Sequence, residues 1–296
     1  MIVVTTPTGQ IGSALVPALL DRGQRVRVIV RDPSRLDQEV REKVEVVVGS
    51  HGDPAVLDEA LAGAEGLFWL IPPDRSAPSA LEHYLRFARA AADAIRRQRV
   101  GHIVGVTSAG HGWSEPAGVL SAAFAMDEVL AATGAAYRAL SLPFYLENLL
   151  GQLDPIVRQG AFSLASPADQ PFPAIAVADI AQAAADLLTD LDWEGQQNVP
   201  LFGPDRLTPD QMADVMSREL GKPIAFAPMT IEALAAGIRS RGASERAVSD
   251  TTEMFAAQAS GIYDADWAVA ETGATDFATW CRTVLKPRME ATSVRS

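Results

Sequence analysis

Ile2-Val3-Val4-Thr5-Thr6-Pro7-Thr8-Gly9-Gln10-Ile11-Gly12, running on through Ser13-Ala14-Leu15-Val16-Pro17-Ala18-Leu19-Leu20, is the stretch that decides the fold. Apolar and β-branched residues lead into a turn, and the turn opens an amphipathic segment that stops at Arg22-Gly23. That order predicts a strand, a phosphate-type turn and a helix. Gly9 lets the backbone approach a pyrophosphate closely, and Gly12 lets the helix pack against its strand. The free N–H groups and positive dipole end of the helix then face the phosphates. Thr6 stands where the first glycine of a G-x-x-G-x-x-G spacing usually falls.

The next segment supports a dinucleotide. Gln24-Arg25-Val26-Arg27-Val28-Ile29-Val30 alternates and then turns wholly apolar, as a buried parallel strand does, and ends in Arg31-Asp32-Pro33-Ser34-Arg35. An acid at this strand end grips the ribose 2′-OH of NAD, whereas an arginine accommodates the 2′-phosphate of NADP. Arg31 follows the strand directly and Arg35 lies one turn on, which favours NADP(H).

Strand and helix signals go on alternating through the first half, the pattern of an α/β, Rossmann-type doubly wound parallel sheet. Strands are expected over 43–48, 66–71, 102–108 and 136–141, with helices over 55–61, 81–98 and 119–133. The second half changes character: a short strand at 162–164, a helix over 178–191 and a strand over 197–202. Thr208-Pro209-Asp210 then opens a helix running to Leu220, and further helices are expected over 231–240 and 249–261. The expected organisation is an NADP-binding Rossmann domain over 1–150 and a smaller, mostly helical substrate region over 151–286, interleaved with the first. A polar, disordered tail is expected over 287–296.

Composition narrows the function classes. The 296 residues carry 48% hydrophobic and 21% charged residues, ordinary for a globular enzyme, and a net charge of −12. That balance shows no basic footprint for a nucleic acid. One cysteine, Cys281, excludes an intrachain disulfide, and four scattered histidines without H-E-x-x-H give no metal signature. No apolar stretch reaches membrane-spanning length, and no basic and apolar leader precedes the first strand, so the expectation is a cytoplasmic protein, monomer or homodimer, free of membrane and nucleic-acid partners.

V-T-T-P-T-G-Q-I-G, V-R-D-P-S-R, G-L-F-W-L-I-P-P, P-F-Y-L-E-N-L and A-V-A-D-I-A follow one another in order. Together they resemble the NmrA-like group of atypical short-chain dehydrogenases/reductases over about residues 1–225. That group includes NADPH-dependent quinone reductases and NADP-sensing regulators. The resemblance implies that Thr6, Thr8, Gly9, Gln10 and Ile11 hold the pyrophosphate and Arg31 the 2′-phosphate. Ile71 and Pro72 would border the ribose, and Pro143, Phe144 and Tyr145 would wall the nicotinamide end, with Asn148 nearby.

The sequence departs from the pattern at two places. The acid usual after the third strand is Ser50, which puts the adenine contact there in doubt. The Tyr-x-x-x-Lys pair of ordinary short-chain reductases is absent, since none of Tyr84, Tyr137, Tyr145 and Tyr263 has a lysine four residues on. The lysine often kept by NmrA-like reductases falls on Glu128, which reads as a solvated helix face. Carbonyl reduction puts negative charge on oxygen, and a carboxylate there opposes it. Three explanations remain open. The substrate stabilises its own oxyanion through an internal hydrogen bond; Ser108 or His111 donates the proton; or the chain binds the cofactor as a sensor and catalyses nothing.

Trp113 in the loop after the fifth strand is a candidate to cover a flat aromatic substrate, and Tyr145, Asn148, Met229 and Phe255 are further substrate-side candidates. Phe144, Phe226, Met254 and Tyr263 complete the apolar set. An apolar pocket beside a nicotinamide suits a quinone or polycyclic ketone, as in antibiotic-pathway carbonyl reductases that lack the Tyr/Lys pair. The expected function is an NADPH-dependent ketoreductase or quinone reductase for a hydrophobic aromatic small molecule, the alternative being a non-catalytic NADP-binding regulator.

Overall fold

The computed structural model describes residues 1–74 and 76–293. Strands and helices alternate as β1 (Ile2–Val4), α1 (Gln10–Asp21), β2 (Val26–Val30), α2 (Gln38–Arg41), β3 (Glu45–Val48), α3 (Pro54–Leu61) and β4 (Gly66–Trp69), then α4 (Ala80–Gln98), β5 (His102–Ser108), α5 (Val119–Ala131) and β6 (Ala136–Leu142). The chain continues through β7 (Phe144–Tyr145), a 3-10 segment (Leu146–Gln152), α6 (Leu153–Gln159), β8 (Ala161–Phe162), β9 (Ala174–Ile175), α7 (Val177–Thr189) and β10 (Gln196–Phe202). The remaining elements are α8 (Pro209–Leu220), β11 (Ala225–Phe226), α9 (Ile231–Ser240), α10 (Glu245–Ala259), α11 (Asp264–Trp267), β12 (Glu271–Thr272), α12 (Phe277–Trp280), a π turn (Cys281–Leu285) and α13 (Lys286–Ser293).

Among the described residues the main sheet has eight strands in the order β12-β10-β6-β5-β4-β1-β2-β3, every neighbouring pair parallel. The order reverses between β1 and β4, the crevice where doubly wound sheets take their ligands. Residue alternation sorts the strands onto two cores. Ile2 and Val4 join Val28, Phe68, Val104 and Leu140 under α1 and α7. Val3 joins Ile29, Leu67, Trp69 and Ile103 under α3, α4 and α5. A strand covered on both faces has no polar face to show, which is why β1 and β4 read as unbroken apolar runs.

The smaller region has its own core, with Phe162, Met212, Met216, Phe277, Trp280 and Leu285 buried together. β10, α7 and β12 all lie downstream of residue 150, and all three build on the Rossmann sheet. The two regions are tied at Glu147. Its carboxylate accepts the Val177 N–H at the start of α7 at 2.9 Å and the indole N–H of fully buried Trp280 at 3.1 Å. Burial pushes this carboxyl above its ordinary range, opposed by those hydrogen bonds.

Two expectations change. The helix expected from residue 249 begins at Glu245, because the Ser244 hydroxyl accepts the Ala247 N–H at 3.1 Å and starts it earlier. The tail expected to be disordered from 287 is helical over Lys286–Ser293, with Met289 buried against the small core. Residues 294–296 of that expected tail lie outside the described residues.

Glu147→Ala leaves the Val177 N–H and the Trp280 indole without their acceptor. The expected loss is about 2–4 kcal/mol, read as a fall of several degrees in melting temperature. The change should also alter Trp280 fluorescence before global unfolding.

Candidate active site

The turn between β1 and α1 is held by a backbone hydrogen bond from Gly9 N–H to the Thr6 carbonyl at 3.0 Å. Thr6 sits in the left-handed region at φ 50°, the conformation a glycine would take at no cost. For a β-branched residue this is a strained position, costing on the order of 1–2 kcal/mol. The Thr6 Oγ1 is buried and finds no hydrogen-bond partner among the described residues. A Cβ on Gly12 would overlap the Thr6 carbonyl oxygen, so the helix approaches its own turn as closely as a glycine permits. Gly9 caps α1 without a side-chain oxygen, leaving the N–H groups of the first turn to an incoming ligand. A strained turn with an orphaned buried hydroxyl beside free amides fits a bound diphosphate.

At the end of β2, Asp32 is already engaged. Its carboxylate accepts the Ser34 N–H at 3.0 Å and the Ser34 hydroxyl at 2.7 Å, which holds it below the usual carboxylate range. The guanidinium groups of Arg31 and Arg35 are exposed, and neither makes a hydrogen bond or ion pair with a described residue. The acid that would take a ribose hydroxyl is capping a turn, and the two cations that would take a phosphate are free.

Ser50 turns its hydroxyl to the Gly52 N–H at 3.2 Å. The residue after it, His51, was not singled out by sequence. It is buried, with its ring 5.3 Å from that of Trp69 and 4.9 Å from that of Phe87. Burial first, and then the charge of Arg31, lower its pKa from 6.5 to about 4. Ile71 is buried at the end of β4, and Pro72 beside it is exposed with its carbonyl accepting from His83 Nε2 at 2.9 Å.

Beyond β5 the structure gathers most of the remaining polar candidates. The Ser108 hydroxyl donates to the Ala109 carbonyl at 2.9 Å and lies beside the phenol of Tyr263, which Gln258 also contacts at 2.9 Å. Gly110 N–H donates to Asp266 at 2.7 Å, fixing the loop that carries His111 and Trp113. His111 Nε2 meets Asp127 Oδ2 at 2.9 Å. The same buried carboxylate accepts the Thr107 hydroxyl at 2.5 Å and the Tyr137 hydroxyl. A Cβ on Gly105 would overlap the Tyr137 hydroxyl, so this glycine opens the passage from β6 through β5 to Asp127. His111 Nδ1 and Trp113 Nε1 are both buried with no hydrogen-bond partner among the described residues.

Glu128, at the position of the family's lysine, is exposed on α5, and the carboxylate that matters is its neighbour Asp127. The spacing between 107, 111, 127 and 137 follows no motif, so only the fold could bring them together. Trp113, Met254, Phe124 and Tyr263 pack in one cluster with Ala109 and Ile262. Tyr145 lies within electrostatic reach of both Tyr84 and Tyr263. Pro143 is buried and Phe144 packs on Phe172 at 5.1 Å. Other substrate-side candidates are scattered: Met229 is 36% exposed, Asn148 lies on the surface of the 3-10 segment, and Phe255 is half-buried on α10. Phe226 belongs to the small core, 5.4 Å from Phe162.

A model of the NmrA-like family matches residues 1–277. Quinone oxidoreductase 2 of Escherichia coli (strain K12) is 26% identical over 244 residues, covering 82% of each chain. An NAD(P)H azoreductase of Xenophilus azovorans is 25% identical over 258 residues, covering 86% of each. The crystal structure of the E. coli NADPH-dependent quinone oxidoreductase QOR2 complexed with NADPH matches with a TM-score of 0.75 at 23% identity, covering 96% of this chain and all of that one.

His51 gives a pH-dependent stability with a definite sign. Its folded pKa of about 4 lies below the ordinary 6.5, so the unfolded chain binds the extra proton between these values. Stability is complete above 6.5 and falls as pH drops toward 4, by about 3 kcal/mol at most. Melting temperature measured from pH 7 down to 5 should fall less steeply in His51→Phe than in the parent protein; equal slopes would contradict a buried neutral imidazole.

Proposed function

The chain belongs to the NmrA-like family, and from that premise we propose that this NADP(H)-dependent oxidoreductase reduces a quinone or ketone carbonyl on a hydrophobic, aromatic small molecule of polyketide type. The β1–α1 turn, with Thr6, Thr8, Gly9, Gln10, Ile11 and Gly12, holds the diphosphate through backbone amides. Arg31, supported by Arg35, takes the 2′-phosphate, because charge-assisted contacts from a guanidinium suit a phosphate dianion and Asp32 is already hydrogen-bonded elsewhere. Ile71, Pro72, Pro143 and Phe144 border the remainder at the carboxyl ends of β4 and β6. NADPH bound there supplies the hydride.

The observation that supports the substrate class is the apolar cluster packed beside Ser108. Trp113, Phe124, Met254 and Tyr263 close against the end of β5, and their polar atoms are few. A substrate seated against this cluster would meet apolar and aromatic groups, which suits a flat aromatic body and supplies no counter-charge to a phosphorylated or sugar-nucleotide substrate. None of the lysines reaches it. Lys222 Nζ donates to the Ile156 and Val157 carbonyls at 2.9 Å, and Lys286 Nζ to the Glu219 carbonyl at 3.3 Å. The chain therefore reduces its substrate without a tyrosine–lysine pair.

Loss of NADPH absorbance against a panel of quinones and polycyclic aromatic ketones tests the reading. Turnover on part of the panel is expected, and cofactor binding with no turnover on any member would overturn it. In the same assay Arg31→Ala should cost roughly 10- to 100-fold in NADPH affinity, the range of one or two charged hydrogen bonds, and leave NADH affinity nearly unchanged. An unaltered preference would remove Arg31 from the phosphate site.

A further inference from the structure

Hydride addition to a ketone leaves an alkoxide, and the alkoxide needs a proton. An alcohol holds its proton about as tightly as water does, so the anion is a poor product near neutral pH without a donor. Hydride addition to a quinone leaves a phenolate, whose pKa of about 10 makes it far more tolerable. A site that reduces both classes depends on its acid much more for the ketone.

Four phenols lie in or near this corner of the fold, and each is a poor acid. Burial raises Tyr84 to about 12, and burial raises Tyr145 and Tyr263 as well. Tyr137 is raised further, by burial and then by the charge of Asp127, to which it already gives its hydrogen bond. Ser108 donates to the Ala109 carbonyl. His111 differs from all of these. One ring nitrogen, Nε2, is fixed on Asp127, and the other, Nδ1, is shielded from water with no partner among the described residues. The side chain as a whole keeps 21% of its surface exposed, so the ring lies at the edge of the buried network and not in its middle.

We propose that His111 is the general acid for ketone reduction and that Asp127 is its positioning residue. The inference rests on the reductase reading above. As hydride adds to the carbonyl carbon, the C=O π electrons move to oxygen and a new O–H bond forms with the Nδ1 proton. The N–H electrons stay on the imidazole, which becomes neutral and regains a proton from water. Asp127 orients the ring and balances the charge of the imidazolium. The donors Thr107 and Tyr137 compensate the desolvation of that carboxylate. The charged and titratable groups facing this assembly are Asp127 on α5, Tyr84 on α4, Tyr137 on β6, Tyr263 beside Ser108, and Asp266, whose carboxylate holds Gly110.

His111→Gln keeps a polar side chain and removes the acid. For aromatic ketones kcat should fall by about 10²- to 10⁴-fold with KM little changed, while quinones lose less than about 10-fold. Calorimetric NADPH affinity should match the parent protein, and melting temperature should stay close to it because the Gln amide N–H keeps a donor for Asp127. In the parent protein loaded with NADP⁺, adding an aromatic ketone should shift the His111 ring resonances in NMR spectra. Asp127→Asn should cost ketone kcat as well, since it loosens the ring without removing it. Equal losses for ketones and quinones, no loss for either, unshifted His111 resonances, or a parent protein that reduces quinones but no ketone would each overturn the assignment and leave the reductase reading standing. A parent protein that binds NADPH and reduces neither class would overturn the reductase reading itself.

Discussion

The structure depends on how closely α1 approaches the turn that precedes it. Where Gly12 lacks a Cβ, the Thr6 carbonyl fills the space, and Thr6 accepts a left-handed backbone to put it there. This contact sets the height of α1 over β1, and so places Leu15 and Leu19 against Val4, Val28 and the facing helix α7. It also points the first turn of α1 at the crevice between β1 and β4. The strain at Thr6, about 1–2 kcal/mol, is small beside the burial of those side chains, each contributing roughly 1.5–3 kcal/mol. The fold can therefore sustain a threonine where a glycine would be easier, and it gains a buried hydroxyl in the turn.

The second constraint is electrostatic. Asp127 is an acid buried in the middle of an α/β domain, tolerable because Thr107, Tyr137 and His111 all turn toward it. Removing any one leaves the others to hold an underserved charge. The network links β5, β6, α5 and the loop that follows β5, so the position of His111 is fixed by three elements besides its own loop. A histidine in a glycine-flanked loop acquires in this way the rigidity a catalytic group needs.

Charge is arranged differently at the two ends of the proposed site. The chain as a whole carries a net charge of −12, yet Arg31 and Arg35 at the end of β2 make no ion pair with a described residue. Several other arginines are engaged: Arg27 with Glu45, Arg97 with Asp58, Arg239 with Glu245. In so acidic a protein, two exposed guanidinium groups close together in the chain, with no carboxylate ion pair among the described residues, make a local basic spot suited to an anion. Arg31 also helps keep the buried His51 neutral, so the phosphate end and the apolar interior beneath it are electrically coupled.

The elements that position the site were legible in the sequence wherever a local rule governs them. Apolar runs identified β1 and β4, alternation passing into an apolar run identified β2, glycine spacing identified the first turn, and Thr208-Pro209-Asp210 marked the start of α8, because these signals act within one turn or one strand. Arg31 beside Asp32 was legible as a choice between two phosphate or ribose partners. Which one is free was decided by the fold of the next turn, where Ser34 claims the acid. Asp127 was invisible because its donors come from residues 107, 111 and 137, and no spacing rule connects positions that meet only after β5, β6 and α5 pack. The same holds for Tyr263, brought beside Ser108 from 155 residues away, and for Glu147, whose partners lie on α7 and α12. What the sequence by itself determined is the order of elements and the glycine turn between β1 and α1, since short-range sterics and periodicity fix them. Tertiary structure alone decided which polar groups lost water together, because desolvation depends on the neighbours that packing supplies.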